Sequence, residues 1–258
     1  MKRPDYKNWI PKGMTYGFFL LGGVLFLAGV LCGTVFHHNV ICMILILTAI
    51  GVCLWGLWCR YAYGQFSYEG KRKLSKQITE GTAEYIRLPE GGIGLDVGCG
   101  SGALTNACAR RNPQGRMLGI DAWGPEYAEY NQKVCEENAK AEGLDNVSFE
   151  RGDANHLDFP DETFDAVVSN YVYHNIALKD KQKLLKETLR VLKKGGTFAI
   201  HDLMSRRRYG DMDRFVEELK KEGYEEVELI DTTKGMFMSE KEAALLFLKG
   251  STLLKGRK

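Results

Sequence analysis

The chain has 258 residues and a formal net charge of +2, so it is long enough for one ordinary α/β domain and a smaller segment. The near-neutral charge disfavours a dedicated nucleic-acid binder, because such proteins carry a large basic excess. The seven cysteines show no spacing typical of metal ligands, so we expect free thiols and no metal site.

Two long uncharged segments lie near the N-terminus. Residues 14–36 and 40–59 contain no charged side chain, and a helix of about 20 such residues crosses the hydrocarbon core of a bilayer. Only residues 37–39 separate them, which is enough to turn a helical hairpin. The sequence therefore predicts a membrane anchor of two transmembrane helices over residues 1–60, followed by a second domain over residues 61–258.

Basic residues indicate how the anchor is oriented. Lys and Arg flank the two apolar segments on their outer sides, and the connecting turn has neither. By the positive-inside rule, both termini and the second domain are cytoplasmic and the turn lies outside. The alternative is a helical hairpin buried within a soluble protein, which two uncharged segments of spanning length disfavour.

The rest of the chain alternates short apolar runs with amphipathic segments. We predict strands at residues 93–97, 116–121, 147–151, 164–169 and 197–201, with a final pair at 225–230 and 243–249. We predict helices at residues 69–87, 103–111, 125–141, 179–192 and 211–222. This alternation is typical of α/β proteins, here a Rossmann-like doubly wound seven-stranded sheet preceded by the two transmembrane helices.

The first predicted strand runs into the glycine-rich turn 98–102, which opens a helix. Glycine permits positive φ and close approach of a ligand to the backbone, and amides at a helix start face that ligand. Asp121 ends the second strand, where a carboxylate can accept both ribose hydroxyls of a nucleotide-like cofactor. An NAD-dependent oxidoreductase and a methyltransferase both fit these features.

Five motifs follow one another in an order that favours the methyltransferase. They are DVGCGSG at 96–102, GID at 119–121, GDA at 152–154, FDAVVSN at 164–170 and LKKGG at 192–196. With them, residues 70–258 resemble the class I S-adenosylmethionine-dependent methyltransferases. GID followed by Ala122-Trp123, together with the S-x-x-x-x-H-N-I loop at 169–176, is similar to small bacterial members, some of which carry N-terminal membrane helices.

The resemblance implies a binding site for S-adenosylmethionine. Asp96, Gly98 and Gly100 would surround its methionine part, and Asp121 would bind its ribose. The residues implied for the adenine are Trp123, Asp153 and Ala154, and the residue implied beneath the sulfonium is Asn170. The N-P-P-[FY] tetrapeptide of amino-directed methyltransferases is replaced here by residues 169–172, Ser-Asn-Tyr-Val, which disfavours nucleic-acid bases and protein glutamine as acceptors.

Catalysis of methyl transfer depends mostly on alignment, because the sulfonium is already an activated donor. A general base is required only where the acceptor must lose a proton. The candidate catalytic residues after the fourth strand are His174, Tyr171 and Tyr173. The histidine could instead order its loop, and the tyrosines could form the pocket wall. His201 and Asp202, which end the fifth strand, are weaker candidates.

The anchor suggests an acceptor that dissolves in the membrane or lies at its surface, such as a quinone, a lipid, a phenol or a thiol. The expected partners are this small molecule and the lipid bilayer, to whose anionic headgroups Arg206, Arg207 and Arg208 could bind. The anchor could equally serve only to localise the enzyme. A non-catalytic module that binds S-adenosylmethionine is a further alternative.

Overall fold

The computed structural model describes residues 3–124 and 129–258, and they divide into two compact units. Residues 7–76 form one, which we call the hairpin unit. Residues 3–6 and 77–258 form the other, which we call the sheet unit. The chain therefore begins in the sheet unit, leaves it for the hairpin and then returns.

The hairpin unit contains helices α1 (Lys12–Thr34) and α2 (Asn39–Phe66). They pack closely at Gly22, where an added Cβ would lie 2.4 Å from the Sγ atom of Cys53, and small residues permit such an approach. Both helices are long and apolar enough to cross a membrane, and only 11% of the most apolar stretch of each is buried. A core helix of a soluble protein would be mostly buried.

The sheet unit is organised around a seven-stranded sheet within the described residues. Its strands are β1 (Ile93–Val97), β2 (Arg116–Asp121), β3 (Val147–Arg151), β4 (Phe164–Asn170), β5 (Leu192–Leu203), β6 (Glu225–Asp231) and β7 (Ser251–Arg257). The strand order is β3-β2-β1-β4-β5-β7-β6. The first five strands pair in parallel, and β7 runs antiparallel to both neighbours. The predicted Rossmann-like sheet is confirmed.

Helices precede and connect these strands. They are α3 (Leu74–Ala83), α4 (Ala103–Arg111), α5 (Gln132–Ala141), α6 (Lys181–Arg190), α7 (Arg206–Tyr209), α8 (Met212–Lys221) and α9 (Glu240–Leu245). Helix α8 begins where the side chain of Asp211 accepts a hydrogen bond from the backbone N–H of Arg214. Its residues Phe215 and Leu219 are buried in the same apolar core as Phe198 of β5.

The last predicted strand, at residues 243–249, is wrong. The first half of α9 precedes residue 243, and its second half lies within the predicted strand. The side chain of Ser239 accepts a hydrogen bond from the N–H of Glu242, and acidic residues occupy the first turn. A side-chain cap and acidic residues both stabilise a helix start, so the apolar residues that follow belong to a helix and a turn, and β7 starts at Ser251.

Two predicted helices are shorter in the structure. The helix predicted at 125–141 begins at Gln132, because the side chain of Asn131 caps it by accepting from the N–H of Val134; residues 125–128 lie outside the described residues. The helix predicted at 69–87 is reduced to α3, since Lys73 has a φ of 52°, which interrupts helical backbone.

We expect Asp211→Ala to lower the stability of the sheet unit by about 1 kcal/mol, because the N–H of Arg214 loses its acceptor. Thermal unfolding should show a midpoint about 2–4 °C lower. Asp211→Asn retains an oxygen that can accept this bond and should unfold close to the wild type. Equal losses in the two variants would contradict the capping role.

Candidate donor and acceptor site

The crevice for a ligand lies at the carboxyl edge of the sheet, between β1 and β4. From β1 the chain moves outward to β2 and β3, then returns to β4 on the other side of β1. This change of direction makes the boundary between β1 and β4 the switch point of the sheet, and ligands of open α/β sheets bind outside the strand ends at such a point. The predicted site residues Asp96, Asp121, Asp153 and Asn170 stand at or beside the carboxyl ends of β1 to β4.

Glycine is required at two positions of the loop after β1. Gly98 has a φ of 76°, and an added Cβ would lie 2.3 Å from the Cγ2 atom of Val172. Gly100 has a φ of 57°, and the nearest atom to an added Cβ would be Cδ1 of Tyr130, 3.9 Å away. The loop thus packs tightly against the segment after β4, while the space at Gly100 stays open.

Asp121 joins this loop to the end of β2. Its Oδ2 atom accepts the N–H of Gly100 at 2.9 Å, and its Oδ1 atom accepts the N–H of Trp123 at 2.7 Å. The indole N–H of Trp123 in turn donates to the carbonyl oxygen of Gly100 at 2.9 Å. Each carboxylate oxygen can accept more than one hydrogen bond, so Asp121 keeps capacity for a ligand's hydroxyls.

Asp96 is a buried carboxyl group, and one of its two oxygens has no hydrogen-bond partner among the described residues. It is 1% exposed, its Oδ2 atom accepts from the Thr105 hydroxyl at 2.7 Å, and its Oδ1 atom has no partner among the described residues. Burial raises the pKa of Asp96 to about 7, against the lowering effect of the Thr105 hydrogen bond, and the charge of Asp121 adds to the rise. A ligand ammonium would satisfy this oxygen, so the site fits the methionine part of S-adenosylmethionine.

The predicted adenine residues lie at the end of β3. Asp153 is exposed, and its Oδ1 atom accepts from the backbone N–H and the side-chain amide of Asn155 at 2.8 and 2.7 Å. Ala154 is half-buried and packs against the main core. These contacts shape a tight turn at the outer end of the crevice and leave the other oxygen of Asp153 for a donor group.

His174 and Asp202 form a hydrogen-bonded pair beyond the end of β4. The Nδ1 atom of His174 lies 2.6 Å from Oδ1 of Asp202, and the backbone N–H of His174 donates to Oδ2 at 3.2 Å. A carboxylate at Nδ1 selects the tautomer that carries its proton there, so Nε2 holds the lone pair. The side chain of His174 is 17% exposed, and that of Asp202 is fully buried.

The environment keeps Asp202 ionised. Burial by itself would raise its pKa, but the hydrogen bond and charge of His174, with the backbone N–H groups of Leu203 and His174, outweigh burial and hold the pKa of Asp202 below its usual range. The carboxylate is therefore negative at neutral pH.

His201 has a different environment. It is fully buried, its Nδ1 atom lies 2.9 Å from Oδ1 of Asn170, and its Nε2 atom lies 2.9 Å from the hydroxyl of Thr232. Burial lowers the pKa of His201 to about 3, against the raising effect of the Asp202 charge. The ring is neutral and holds the side chain of Asn170 in one orientation.

The two candidate tyrosines have different surroundings. Tyr173 is fully buried, and its hydroxyl lies 2.5 Å from that of Thr188, which places it in the core. Tyr171 is half-buried with a φ of 55°, and its hydroxyl lies 2.6 Å from that of Ser251. Burial raises the pKa of each phenol. Tyr171 also meets the ring of His174 edge-on, with 6.0 Å between centroids, so it forms a wall beside the pair.

Residues 3–6 reach the glycine loop, which nothing in the sequence signalled. The hydroxyl of Ser101 donates to the carbonyl oxygen of Tyr6 at 2.8 Å, and the Asn106 amide donates to the Tyr6 hydroxyl at 3.0 Å. The N–H of Asp5 donates to the side-chain oxygen of Asn138 at 2.7 Å. These partners lie about a hundred residues further along the chain, so only the folded structure reveals the contact.

Comparison with known proteins gives the site a chemical context. Residues 95–200, from β1 into β5, match a family model described as a methyltransferase domain. The demethylmenaquinone methyltransferase of Geobacillus stearothermophilus is 38% identical over 112 residues, which is 43% of this chain and 45% of the relative. The chain therefore spans about half the length of the curated relatives it matches. Residues 95–200 are therefore similar to methyltransferase domains.

Solved structures share the fold. A geranyl diphosphate methyltransferase in complex with GPP and sinefungin superposes with a TM-score of 0.55 at 13% identity, covering 73% of this chain and 79% of that one. Phosphoethanolamine N-methyltransferase 2 of Haemonchus contortus, solved with S-adenosyl-L-methionine, gives 0.53 at 19% identity, covering 77% and 56%. At these identities the likeness extends to the fold alone.

The raised pKa of Asp96 predicts how stability without a ligand depends on pH. The unfolded chain ionises this carboxyl near its ordinary pKa of 3.8, whereas the folded protein keeps its proton up to about 7. The protonated carboxyl of Asp96 therefore stabilises the folded protein fully below pH 3.8, and this stabilisation is lost as the pH rises towards 7. The side chain in Asp96→Asn cannot ionise. The free energy of unfolding of this variant, measured with denaturant, should therefore fall less between pH 3.8 and 7 than that of the wild type. Asp158→Asn, at an exposed position, is the control. If the unfolding free energy of Asp96→Asn fell with pH as steeply as that of the wild type, the raised pKa of Asp96 would be contradicted.

Proposed function

We propose that this chain is a membrane-anchored methyltransferase that transfers a methyl group from S-adenosylmethionine to a small lipophilic acceptor, with a quinol as the leading candidate. The observation that carries the proposal is the donor half of the crevice. There the glycine loop, a buried Asp96 with one unpartnered oxygen, and Asp121 meet at the switch point of a fold shared with methyltransferases.

On the donor side, residues of this chain would bind and orient S-adenosylmethionine, which supplies an electrophilic methyl group. Asp96 would accept hydrogen bonds from the ammonium of the methionine part, and Asp121 would accept the ribose hydroxyls. The adenine would lie among Trp123, Asp153 and Ala154, with Asn170 held by His201 beneath the sulfonium. Holding donor and acceptor in line is worth about 7–11 kcal/mol in well-oriented reactions.

On the acceptor side, His174 would act as the general base. Because Asp202 holds the proton on Nδ1, Nε2 is free to take the proton of an acceptor hydroxyl, and the buried carboxylate then stabilises the imidazolium. Deprotonation of a quinol increases the electron density of its oxygen and ring, and so makes it a better nucleophile. We assign Tyr171 to the pocket wall and Tyr173 to the core, since burial keeps both phenols neutral.

The hairpin unit would be the membrane anchor, with both termini and the sheet unit in the cytoplasm. Its support is the length and apolarity of α1 and α2, their low burial, and basic residues on their outer flanks. The Geobacillus relative is named for demethylmenaquinone, a lipophilic quinone. An enzyme that acts on such an acceptor benefits from being held at the membrane in which the acceptor dissolves. The proposed boundary of the anchor is residue 60.

Donor binding tests the first half of the proposal. Calorimetry on the detergent-solubilised full chain should show binding of S-adenosylmethionine and none of NAD. Asp121→Ala should weaken donor binding about tenfold or more, because it removes the ribose acceptor and a contact that orders the glycine loop. The exposed Asp145→Ala serves as control. Preferential NAD binding by the folded protein would overturn the proposal.

Turnover tests the second half. With a reduced naphthoquinone as acceptor, His174→Gln should lower kcat about 10²–10⁴-fold, the usual contribution of a general base, while donor affinity stays unchanged. Asp202→Asn should also lower kcat, because an amide no longer selects the tautomer or stabilises the imidazolium. His38→Gln, in the hairpin turn, is the control. Donor binding without turnover of any acceptor would support the non-catalytic module instead.

A further inference from the structure

The connection between β6 and β7 exposes large apolar side chains. Leu245 is 50% exposed and Phe247 is 60% exposed, whereas Leu246 and Leu248, which alternate with them, are buried. The buried pair anchors this segment to the sheet unit. The exposed pair keeps half or more of its surface open to solvent.

The backbone at Phe247 is held in an unfavourable conformation. Its φ is 58°, in the left-handed region that bulky L residues seldom adopt. The N–H of Leu248 donates to the carbonyl oxygen of Ala243 at 2.7 Å, and the N–H of Ser251 donates to that of Leu248 at 3.1 Å. These bonds, with the N–H of Phe247 donating to the carbonyl oxygen of Ala244 at 3.4 Å, form the C-terminal cap of α9, and this cap leaves the ring of Phe247 exposed.

Basic residues lie next to this turn. The N–H of Met204 donates to the carbonyl oxygen of Gly250 at 2.8 Å, and an added Cβ on Gly250 would lie 3.3 Å from the Cβ of Ser205. Residues 206–208, three exposed arginines at the start of α7, therefore begin beside the exposed Lys249. We call Leu245, Phe247, Lys249 and residues 206–208 the lip.

The lip adjoins the proposed acceptor side of the crevice. The hydroxyl of Ser251 donates to the carbonyl oxygen of Leu248 at 2.7 Å and lies 2.6 Å from the hydroxyl of Tyr171. Tyr171 in turn contacts the ring of His174 edge-on. One continuous series of contacts thus leads from the exposed turn to the proposed base.

We propose that the lip is an interfacial membrane-binding surface, which inserts Leu245 and Phe247 among anionic headgroups and places the acceptor entrance at the bilayer surface. Exposed apolar groups beside arginine and lysine are the composition of surfaces that bind lipid interfaces, and clustered basic residues select anionic lipids. The inference rests on the proposed function for a lipophilic acceptor. A chain tethered by its own hairpin needs only a weak local contact, because tethering raises the effective concentration.

Fluorescence quenching in vesicles tests the lip directly. The full chain is reconstituted into vesicles of equal parts phosphatidylglycerol and phosphatidylcholine, with lipids that carry a nitroxide near the headgroup or, in a parallel sample, midway along the acyl chain. A genetically encoded environment-sensitive fluorescent amino acid replaces one residue per protein, so the native cysteines remain. The positions are Phe247, Leu27 in α1 as the anchor reference, and Ile93, an exposed residue at the opposite edge of the sheet, as the matched control.

Quenching at 247 and at 27, with none at 93, is the expected result. Quenching at 27 alone would overturn the lip and leave the anchor standing. No quenching at 27 would count against the anchor, while the signal at 247 would still decide the lip. Equal quenching at 247 and 93 would overturn the inference, since it would show no preference for this surface.

A charge variant separates lipid recognition from simple apolar contact. Arg206→Gln, Arg207→Gln and Arg208→Gln together should reduce quenching at 247 in anionic vesicles to the level in pure phosphatidylcholine. The same triple variant should raise the KM for a membrane-dissolved quinol and leave the KM for a water-soluble quinol unchanged. Unaltered quenching in the triple variant would overturn the electrostatic part of the proposal, and an equal rise in both KM values would overturn the role of the lip in acceptor entry.

Discussion

The crevice exists because the chain reverses its winding between β1 and β4. The parallel alignment of β1 to β5 brings the ends of these strands to one edge, and the reversal places the switch point of the sheet between β1 and β4. Gly98 then allows the segment after β4 to pack against the glycine loop, since any Cβ would collide with Val172. The loop after β1 and the segment after β4 are therefore in direct contact at Gly98 and Val172.

Two buried carboxyl groups show how local contacts shift the pKa of the same functional group in opposite directions. Asp96 has one hydroxyl donor and an unsatisfied oxygen, so burial dominates and its pKa rises to about 7. Asp202 is equally buried but receives hydrogen bonds from His174 and from backbone N–H groups, so its pKa falls. The pKa values of these two carboxyl groups are therefore shifted in opposite directions at one sheet edge, which is how neighbouring groups of one type come to differ in protonation.

Much of this architecture could be predicted from the sequence, because short buried strands and glycine turns are local signals. The ends of β1, α4, β2 and β3 agree with the predicted ones. The strand predicted at 243–249 failed because its apolar residues serve a helix and an exposed turn, and apolar runs of that length do not distinguish these states. The contact of Tyr6 with Ser101 and Asn106 had no local signal, since it joins residues about a hundred positions apart.

The roles of the histidines likewise depended on three-dimensional contacts. His174 and His201 both follow strands at the same sheet edge, so sequence alone could rank them only by position. In the structure the two histidines differ in their solvent exposure and in their hydrogen-bond partners. His201 is enclosed between two neutral side chains and stays uncharged, whereas His174 keeps some exposure and holds a carboxylate. A general base must be within reach of the acceptor, and for this reason we propose His174 rather than His201 as the base.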